Sequence, residues 1–168
     1  MESRTAILLL LVVFSGCAST GYRQDGNVST NAPADRTVAA KGTSPEDALA
    51  RFRRNMAPQM AQARATYPDA KRRYLNRLLS PGESFYIKTP LFDRSGRFED
   101  VFILVYKISD GRVVGRIANS IEMVKGYRQG QIYEFAERDL VDWLITKPDG
   151  SEEGNFVGKY LESLSEGR

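Results

Sequence analysis

The chain has 168 residues, 42% of them hydrophobic, and a formal net charge of +3, so it is long enough for one domain with its own core. It contains no histidine and one cysteine, Cys17, which excludes the usual zinc sites, Ser-His-Asp and Cys-His nucleophiles, and imidazole acid–base catalysis. We therefore expect no metal and no cofactor.

Residues 1–16 have the pattern of a signal peptide. Arg4 precedes an apolar run at positions 6–14, about half of the roughly 20 residues needed to span a bilayer. The sequence Phe-Ser-Gly-Cys at positions 14–17 resembles a bacterial lipoprotein box, in which diacylglycerol is attached to the cysteine, although leucine is usual where Phe14 stands. We therefore predict lipidation of Cys17.

The alternative is conventional cleavage close to Cys17, which would leave an incidental thiol. If Cys17 is lipidated, Ala18 follows it, and by resemblance to Gram-negative sorting rules a residue other than aspartate favours the outer membrane. The predicted location is the cell envelope, facing the periplasm, with the membrane as a partner through the lipid. Export argues against nucleic acid as a partner.

The rest of the chain divides into a tether and one domain. Residues 17–43 are rich in small and polar residues without apolar periodicity, which is typical of a flexible linker. Residues 44–168 form the single predicted domain. Its charge is uneven, because residues 36–79 carry ten Lys or Arg against three Asp or Glu, and residues 82–168 carry twelve against fifteen.

A helical region opens the domain. Ser44 is a good N-cap, and apolar side chains then recur at helical spacing at Leu49, Phe52, Met56, Met60, Ala63 and Tyr67. Pro58 lies inside this stripe, so we expect a kinked helix or a helix pair. Pro68 is expected to end it, and a second stretch over 69–79 would bury Leu75, Leu78 and Leu79.

Strands follow Gly82. Residues 85–91 and 101–108 are predicted strands separated by a turn at 93–96, and residues 132–136 form a further strand. Asp110-Gly111 indicates a two-residue hairpin. That loop predicts three cross-strand pairs: Ile108 with Val113, Tyr106 with Gly115 and Leu104 with Ile117. Phe102, Leu104, Tyr106 and Ile108 would then share the core face, with Gly115 leaving room for the Tyr106 ring.

The C-terminal part is predicted to contain a short helix. Asp139 would cap it, with Leu140, Trp143 and Leu144 on its buried side, and residues 154–164 would add a strand or helix. The predicted fold class is therefore α+β: a kinked N-terminal helix or helix pair on a bent antiparallel sheet of about four to five strands, with a short helix near the C-terminus.

Six short motifs lie between residues 85 and 161, at positions 85–88, 99–102, 115–119, 130–132, 140–143 and 154–157. Their order resembles that of the bacterial YegJ-like family, domain of unknown function 2314. Asp100, Phe102, Gln131 and Val157 stand where the family usually has His, Trp, Asp and Thr. The resemblance implies a compact α+β domain with an antiparallel sheet and flanking helices, and it implies no reaction.

Asp142 and Trp143 are the pair most typical of a binding site, since a carboxylate beside an indole could hold a cationic or sugar ligand. The competing interpretation makes Trp143 core and Asp142 a helix-start carboxylate. Glu99 could act with Asp142 across the sheet as a pair of acids, whereas its neighbour Asp100 should point to the opposite face. Asn119, at a strand end, is a further candidate and is explained equally well as a turn residue.

Three functions fit these residues. The leading hypothesis is a non-catalytic envelope lipoprotein that binds a protein or a cell-wall component, with an immunity or inhibitor protein as one form of it. The first alternative is a carboxylate-based hydrolase of envelope glycans, which requires Glu99, Asp142 or Glu134 to converge in one pocket. The second is a docking module in which Arg72 and Arg73 bind anionic lipid or lipopolysaccharide phosphates.

Overall fold

The computed structural model describes residues 44–166, so the predicted signal peptide, Cys17 and the tether lie outside the described residues. Three helices and six strands make up this body. The helices are α1 (Pro45–Asn55), α2 (Ala57–Leu75) and α3 (Phe156–Glu166), and the strands are β1 (Ser84–Phe92), β2 (Phe98–Ser109), β3 (Arg112–Ile117), β4 (Ile132–Ala136), β5 (Asp142–Thr146) and β6 (Glu152–Gly154). The α+β prediction is confirmed, with one strand more than expected.

All six strands belong to one antiparallel sheet in the order β4-β3-β2-β1-β5-β6. The main core lies between one face of this sheet and α2, which contributes Ala63, Tyr67 and Ala70. A second cluster joins α1, α2 and α3 through Phe52, Met60 and Val157. A third cluster, on the opposite face of the sheet, contains Tyr86, Phe102, Ala118 and Leu144.

The N-terminal region is a helix pair. Ser44 caps α1 by accepting a hydrogen bond from the Asp47 N–H at 3.1 Å, and the helix is interrupted at Met56, two residues before Pro58. This position fits the loss of a helical hydrogen bond at proline. The single-residue break keeps Met56 and Met60 on the buried side.

The prediction that Pro68 ends the helix is wrong. Pro68 lies inside α2 and is exposed, so the carbonyl that loses its helical partner lies on the solvent side, where water can satisfy it. The predicted burial of Leu75 and Leu78 is also wrong, because they are 49% and 58% exposed. The helix ends at Leu75 and the chain turns at Arg77, whose φ of 56° is left-handed, so Leu78 leaves the buried face.

A β-bulge corrects the predicted hairpin register. The Asp110-Gly111 turn forms with positive φ at both residues, and Ile108 pairs with Val113 as predicted. A register shift between Val105 and Lys107 then leaves Tyr106 outside the ladder. Between the start of β2 and the bulge, each side chain therefore lies on the face of the sheet opposite to the predicted one. Val101, Ile103 and Val105 face the helices. Phe102 and Leu104 belong to the cluster on the other face.

The predicted helix at Asp139–Leu144 is wrong. Residues Glu137–Asp139 form one turn of 3-10 helix, and the following residues enter the sheet as β5. The free edge of β1 supplies the reason, because Ile87 pairs with Trp143 and Lys88 with Asp142 along a ladder that an isolated short helix could not match. The short helix near the C-terminus is instead α3.

Gly115 provides a test of the corrected register. A methyl group at this position would overlap the Leu104 carbonyl oxygen and come within 2.6 Å of Ile103 Cγ2. We expect Gly115→Ala to lower the free energy of unfolding by about 2–3 kcal/mol, because β2 and β3 must separate to admit it. Urea denaturation measures this change. Gly126→Ala, at a loop position with φ of 91° and open space, should cost only about 1 kcal/mol. Equal costs for the two variants would contradict the packing of Gly115.

Candidate functional site

Trp143 occupies the centre of the candidate site and connects the sheet to α2. Its indole Nε1–H donates to the Ala63 carbonyl oxygen at 3.1 Å and to Thr66 Oγ1 at 3.0 Å. Its ring lies 6.1 Å from that of Phe156 in an edge-to-face arrangement, and the side chain is 3% exposed. The polar edge of the indole is therefore satisfied within the protein, and its carbon surface remains for packing.

The side chains of Asp142 and Trp143 lie on opposite faces of the sheet, because neighbouring residues of a strand point in opposite directions. Its carboxylate accepts hydrogen bonds from the Trp143 N–H at 2.8 Å and the Val157 N–H at 2.7 Å. Val157 is the second residue of α3, so Asp142 ties the first turn of that helix to β5. Asp142 and Trp143 therefore do not form the single ligand site that the sequence suggested.

Burial raises the pKa of Asp142 to about 6, since desolvation disfavours its ionised form. The two backbone N–H groups oppose this rise, as do the positive charges of Lys88 and Lys159. Lys88 is the cross-strand partner of Asp142 and is buried, with its ammonium group 4.6 Å from the centre of the Phe102 ring. Asp142 and Lys88 are thus two buried ionisable residues that are directly opposite each other on β5 and β1, on the face of the sheet opposite α2.

A cleft of about 630 Å³ opens beside Trp143, between α2, β6 and α3. Its apolar part consists of Ala65, the edge of Trp143 and Phe156. Its rim is charged. The complete lining is Ala65, Thr66, Asp69, Trp143, Glu152, Glu153, Gly154, Phe156 and Lys159. We call this cavity the Trp143 cleft.

Ion pairs and one hydrogen bond to a backbone carbonyl oxygen lie along the rim of the Trp143 cleft. Arg72 pairs with Asp69 at 2.5 Å, and Arg73 pairs with Glu153 at 2.6 Å. Lys159 Nζ donates to the Gly154 carbonyl oxygen at 2.8 Å. The Glu153 carboxylate also raises the pKa of Arg73 by accepting its hydrogen bond. Arg72 and Arg73, predicted as phosphate contacts, therefore have carboxylate partners in the described structure.

Glu99 and Asn119 accept hydrogen bonds from backbone N–H groups of β2 and of the segment that follows β3. The Glu99 carboxylate is buried and accepts hydrogen bonds from three consecutive backbone N–H groups, those of Glu122, Met123 and Val124, at 2.8–3.2 Å. Asn119 Oδ1 accepts from the Phe102 N–H at 2.6 Å, which extends the pairing of β2 beyond β3. Both residues satisfy backbone donors that would otherwise be unpaired.

The structure does not bring the three candidate carboxylates together. Glu99 lies on the helix-facing side of β2, and Asp142 lies on the opposite side of β5. Glu134 is on the edge strand β4, which three other strands separate from β5, and it pairs with Arg112 at 2.7 Å. Within residues 44–166, no group of three or more acidic, histidine or cysteine side chains is arranged to hold a metal ion.

The rim residues of the Trp143 cleft were missed at the sequence level. Asp69 and Glu153 are more than 80 positions apart in the chain and meet only because α2 packs against β5 and α3. No local spacing could have indicated this. Glu152 and Glu153 form only a pair of neighbouring acids in the sequence, a pattern that is usually solvent-exposed.

The fold and the site define an α+β domain with an amphipathic cleft at the edge of its helical layer. Residues 53–166 match the model of the family described as "Uncharacterized protein conserved in bacteria (DUF2314)", and the chain belongs to this family. The resemblance predicted for residues 85–161 is confirmed, and the match extends it to include α2.

A curated relative is the uncharacterized protein YegJ of Escherichia coli (strain K12), which is 30% identical over 67 residues. The aligned part covers 40% of this chain and 43% of that protein, so the chain spans less than half the length of this relative. No solved structure matches the sequence significantly. Among the residues that the structure describes, no helix is long and apolar enough to cross a membrane.

The raised pKa of Asp142 predicts a pH-dependent stability difference. The group titrates near 3.8 when unfolded and near 6 when folded, so its unfavourable ionised form appears as the pH rises through this window. Relative to Asp142→Asn, the wild-type free energy of unfolding should fall by about 2–3 kcal/mol between pH 4 and pH 7. Denaturant titration of both proteins across this range measures the difference.

Asp149→Asn is the control, because the pKa of Asp149 is lowered by its hydrogen bonds from Ser151. The wild-type free energy of unfolding, relative to that of Asp149→Asn, should therefore rise with pH. This is the opposite direction to the change expected relative to Asp142→Asn. A difference between wild type and Asp142→Asn that is constant with pH would contradict the assignment.

Proposed function

We propose that this protein is a non-catalytic, lipid-anchored protein of the bacterial envelope, and that its Trp143 cleft binds a partner protein. The observation that carries the proposal is the composition of the cleft, an apolar floor surrounded by charged groups of both signs. Protein interfaces commonly bury an aromatic or aliphatic side chain in such a pocket and surround it with polar contacts.

The chemistry of the partner follows from this rim. The lining contains Asp69, Glu152, Glu153 and Lys159, and Arg72 and Arg73 pair with two of these acids, so the rim presents neither a uniformly acidic nor a uniformly basic surface. It favours a segment in which one apolar side chain is flanked by charges of both signs. A purely cationic ligand would have to compete with the arginines that already occupy Asp69 and Glu153. This is why we favour a protein over an amine-bearing cell-wall component.

Filling the cleft tests the proposal. Ala65 is exposed on α2 and lines the cleft, so Ala65→Trp should block it without removing a core contact. Gln62→Trp adds the same ring to an exposed position of α2 outside the cleft lining and is the matched control.

The measurement is affinity capture from detergent-solubilised envelopes, followed by binding of the purified partner in solution. We expect the Kd of the partner to rise at least about tenfold for Ala65→Trp, because the buried anchor is excluded, and to change little for Gln62→Trp. The proposal fails if every captured protein binds the wild type and Ala65→Trp equally.

The anchor is tested separately at Cys17, which lies outside the described residues. The apolar run at 6–14 followed by the lipoprotein-box sequence supports it. Two or three acyl chains give long-lived membrane residence, whereas one chain binds marginally. We expect Cys17→Ser to abolish labelling by a palmitate analogue and to release the protein from sedimented membranes. Retained labelling would show that Cys17 is not the modified residue.

A further inference from the structure

A second cleft lies at the junction of α1 and α2. It has a volume of about 460 Å³ and faces the segment that leads into β5. Its lining consists of Arg53, Ala57, Met60, Ala61, Arg64, Arg138, Asp139 and Val141. It has no lining residue in common with the Trp143 cleft. We call it the arginine cleft.

Three arginines from three separate elements meet around the arginine cleft. Arg53 is in the last turn of α1, Arg64 is in α2, and Arg138 is in the 3-10 turn before β5. Asp139 is the single acidic residue in the lining. The fold therefore places three arginines and one aspartate around one cavity, so its lining carries an excess of positive charge.

These arginines differ from Arg72 and Arg73 in their partners. Arg64 Nη2 makes a long hydrogen bond of 3.4 Å to the Leu140 carbonyl oxygen, which is neutral. Within residues 44–166, no ion pair involves Arg53, Arg64 or Arg138. Their positive charges are therefore not neutralised by a bonded carboxylate, and their mutual repulsion would be relieved by a bound anion.

The shape and chemistry of the cleft select the class of anion. Guanidinium groups present planar pairs of N–H donors that match the oxygens of a phosphoryl group, often in bidentate fashion. Met60 and Val141 are buried and form an apolar floor, which lowers local solvation and strengthens electrostatic attraction. Several donors converging from different elements could contact several oxygens at once.

We propose that the arginine cleft is a phosphoryl-binding site formed by Arg53, Arg64 and Arg138. It is independent of the proposed protein-binding cleft. A phosphoryl group could reach it on a soluble sugar phosphate or on the head group of an anionic lipid, and both present the same oxygens to the arginines.

The test uses the predicted mature chain, residues 17–168, with Cys17→Ser so that no acyl chain mediates binding. The cleft variant carries Arg53→Gln, Arg64→Gln and Arg138→Gln. Its matched control carries Arg51→Gln, Arg94→Gln and Arg128→Gln, which remove the same charge from exposed positions outside both cleft linings. Glucose 1-phosphate is titrated calorimetrically, and phosphatidylcholine vesicles with and without phosphatidic acid are used for cosedimentation.

We expect the cleft variant to weaken binding at least about tenfold and the control variant to weaken it less than about twofold. Binding of glucose 1-phosphate with this pattern identifies a soluble ligand, and binding only to vesicles containing phosphatidic acid identifies a lipid head group. Either result supports the site. Equal losses in the two variants, or no binding of either probe, would overturn it.

Loss of the Arg64 hydrogen bond could unfold the triple variant, so thermal unfolding is recorded for each protein. Arg53→Gln with Arg138→Gln retains that hydrogen bond and decides the matter if the triple variant is unstable. The double variant should lose at least about fivefold in affinity, since two of the three guanidinium groups are gone. Unchanged binding in a folded double variant would also overturn the proposal.

Discussion

The hydrogen bonds of the Trp143 indole join the two layers of the protein. Its N–H reaches both the Ala63 carbonyl and the Thr66 hydroxyl, which fixes the rotation and the height of α2 over β5. The same ring packs against Phe85 in the neighbouring strand and Phe156 in α3. Because a buried indole N–H left unpaired would be costly, this arrangement has few alternatives. The position of α2 in turn determines where both clefts open.

Asp142 complements this contact on the other side of β5. Its buried carboxylate receives the backbone N–H of Val157 and thereby fixes the start of α3 relative to the strand. Burial raises the pKa of this carboxyl because it disfavours the ionised form, and the two backbone donors together with the Lys88 charge offset part of the desolvation. Asp142, whose sequence context is typical of a ligand site, thus has a structural explanation, as has Glu99 with its three backbone donors. Binding functions are instead supported by the clefts, whose residues come from distant parts of the chain.

Local chemistry was sufficient where one segment decides its own conformation. The Asp110-Gly111 turn, the Ser44 cap and strand β4 with its bounds of Ile132–Ala136 all followed from the sequence. Local chemistry was not sufficient where contacts with a distant segment decide the conformation. Leu140, Trp143 and Leu144 have helical spacing, but pairing with β1 draws the segment into the sheet. The bulge at Tyr106 has no local signal and exchanges the faces of β2. Pro68 continues a helix because its own exposure, a property of the packed state, makes the lost hydrogen bond tolerable.

The sequence by itself determined the α+β class, the family and the absence of histidine chemistry, since these depend on composition, periodicity and motif order. It also contains the complete argument for a lipid anchor at Cys17, which remains a prediction. Tertiary structure alone decided which charges from distant parts of the chain are paired. Arg73 of α2 meets Glu153 of β6 beside the Trp143 cleft, whereas Arg53, Arg64 and Arg138 line the arginine cleft without an ion-pair partner among the described residues. The reason is physical: the strength of a charge interaction depends on distance and burial, and neither is fixed until α1, α2 and the sheet have packed together.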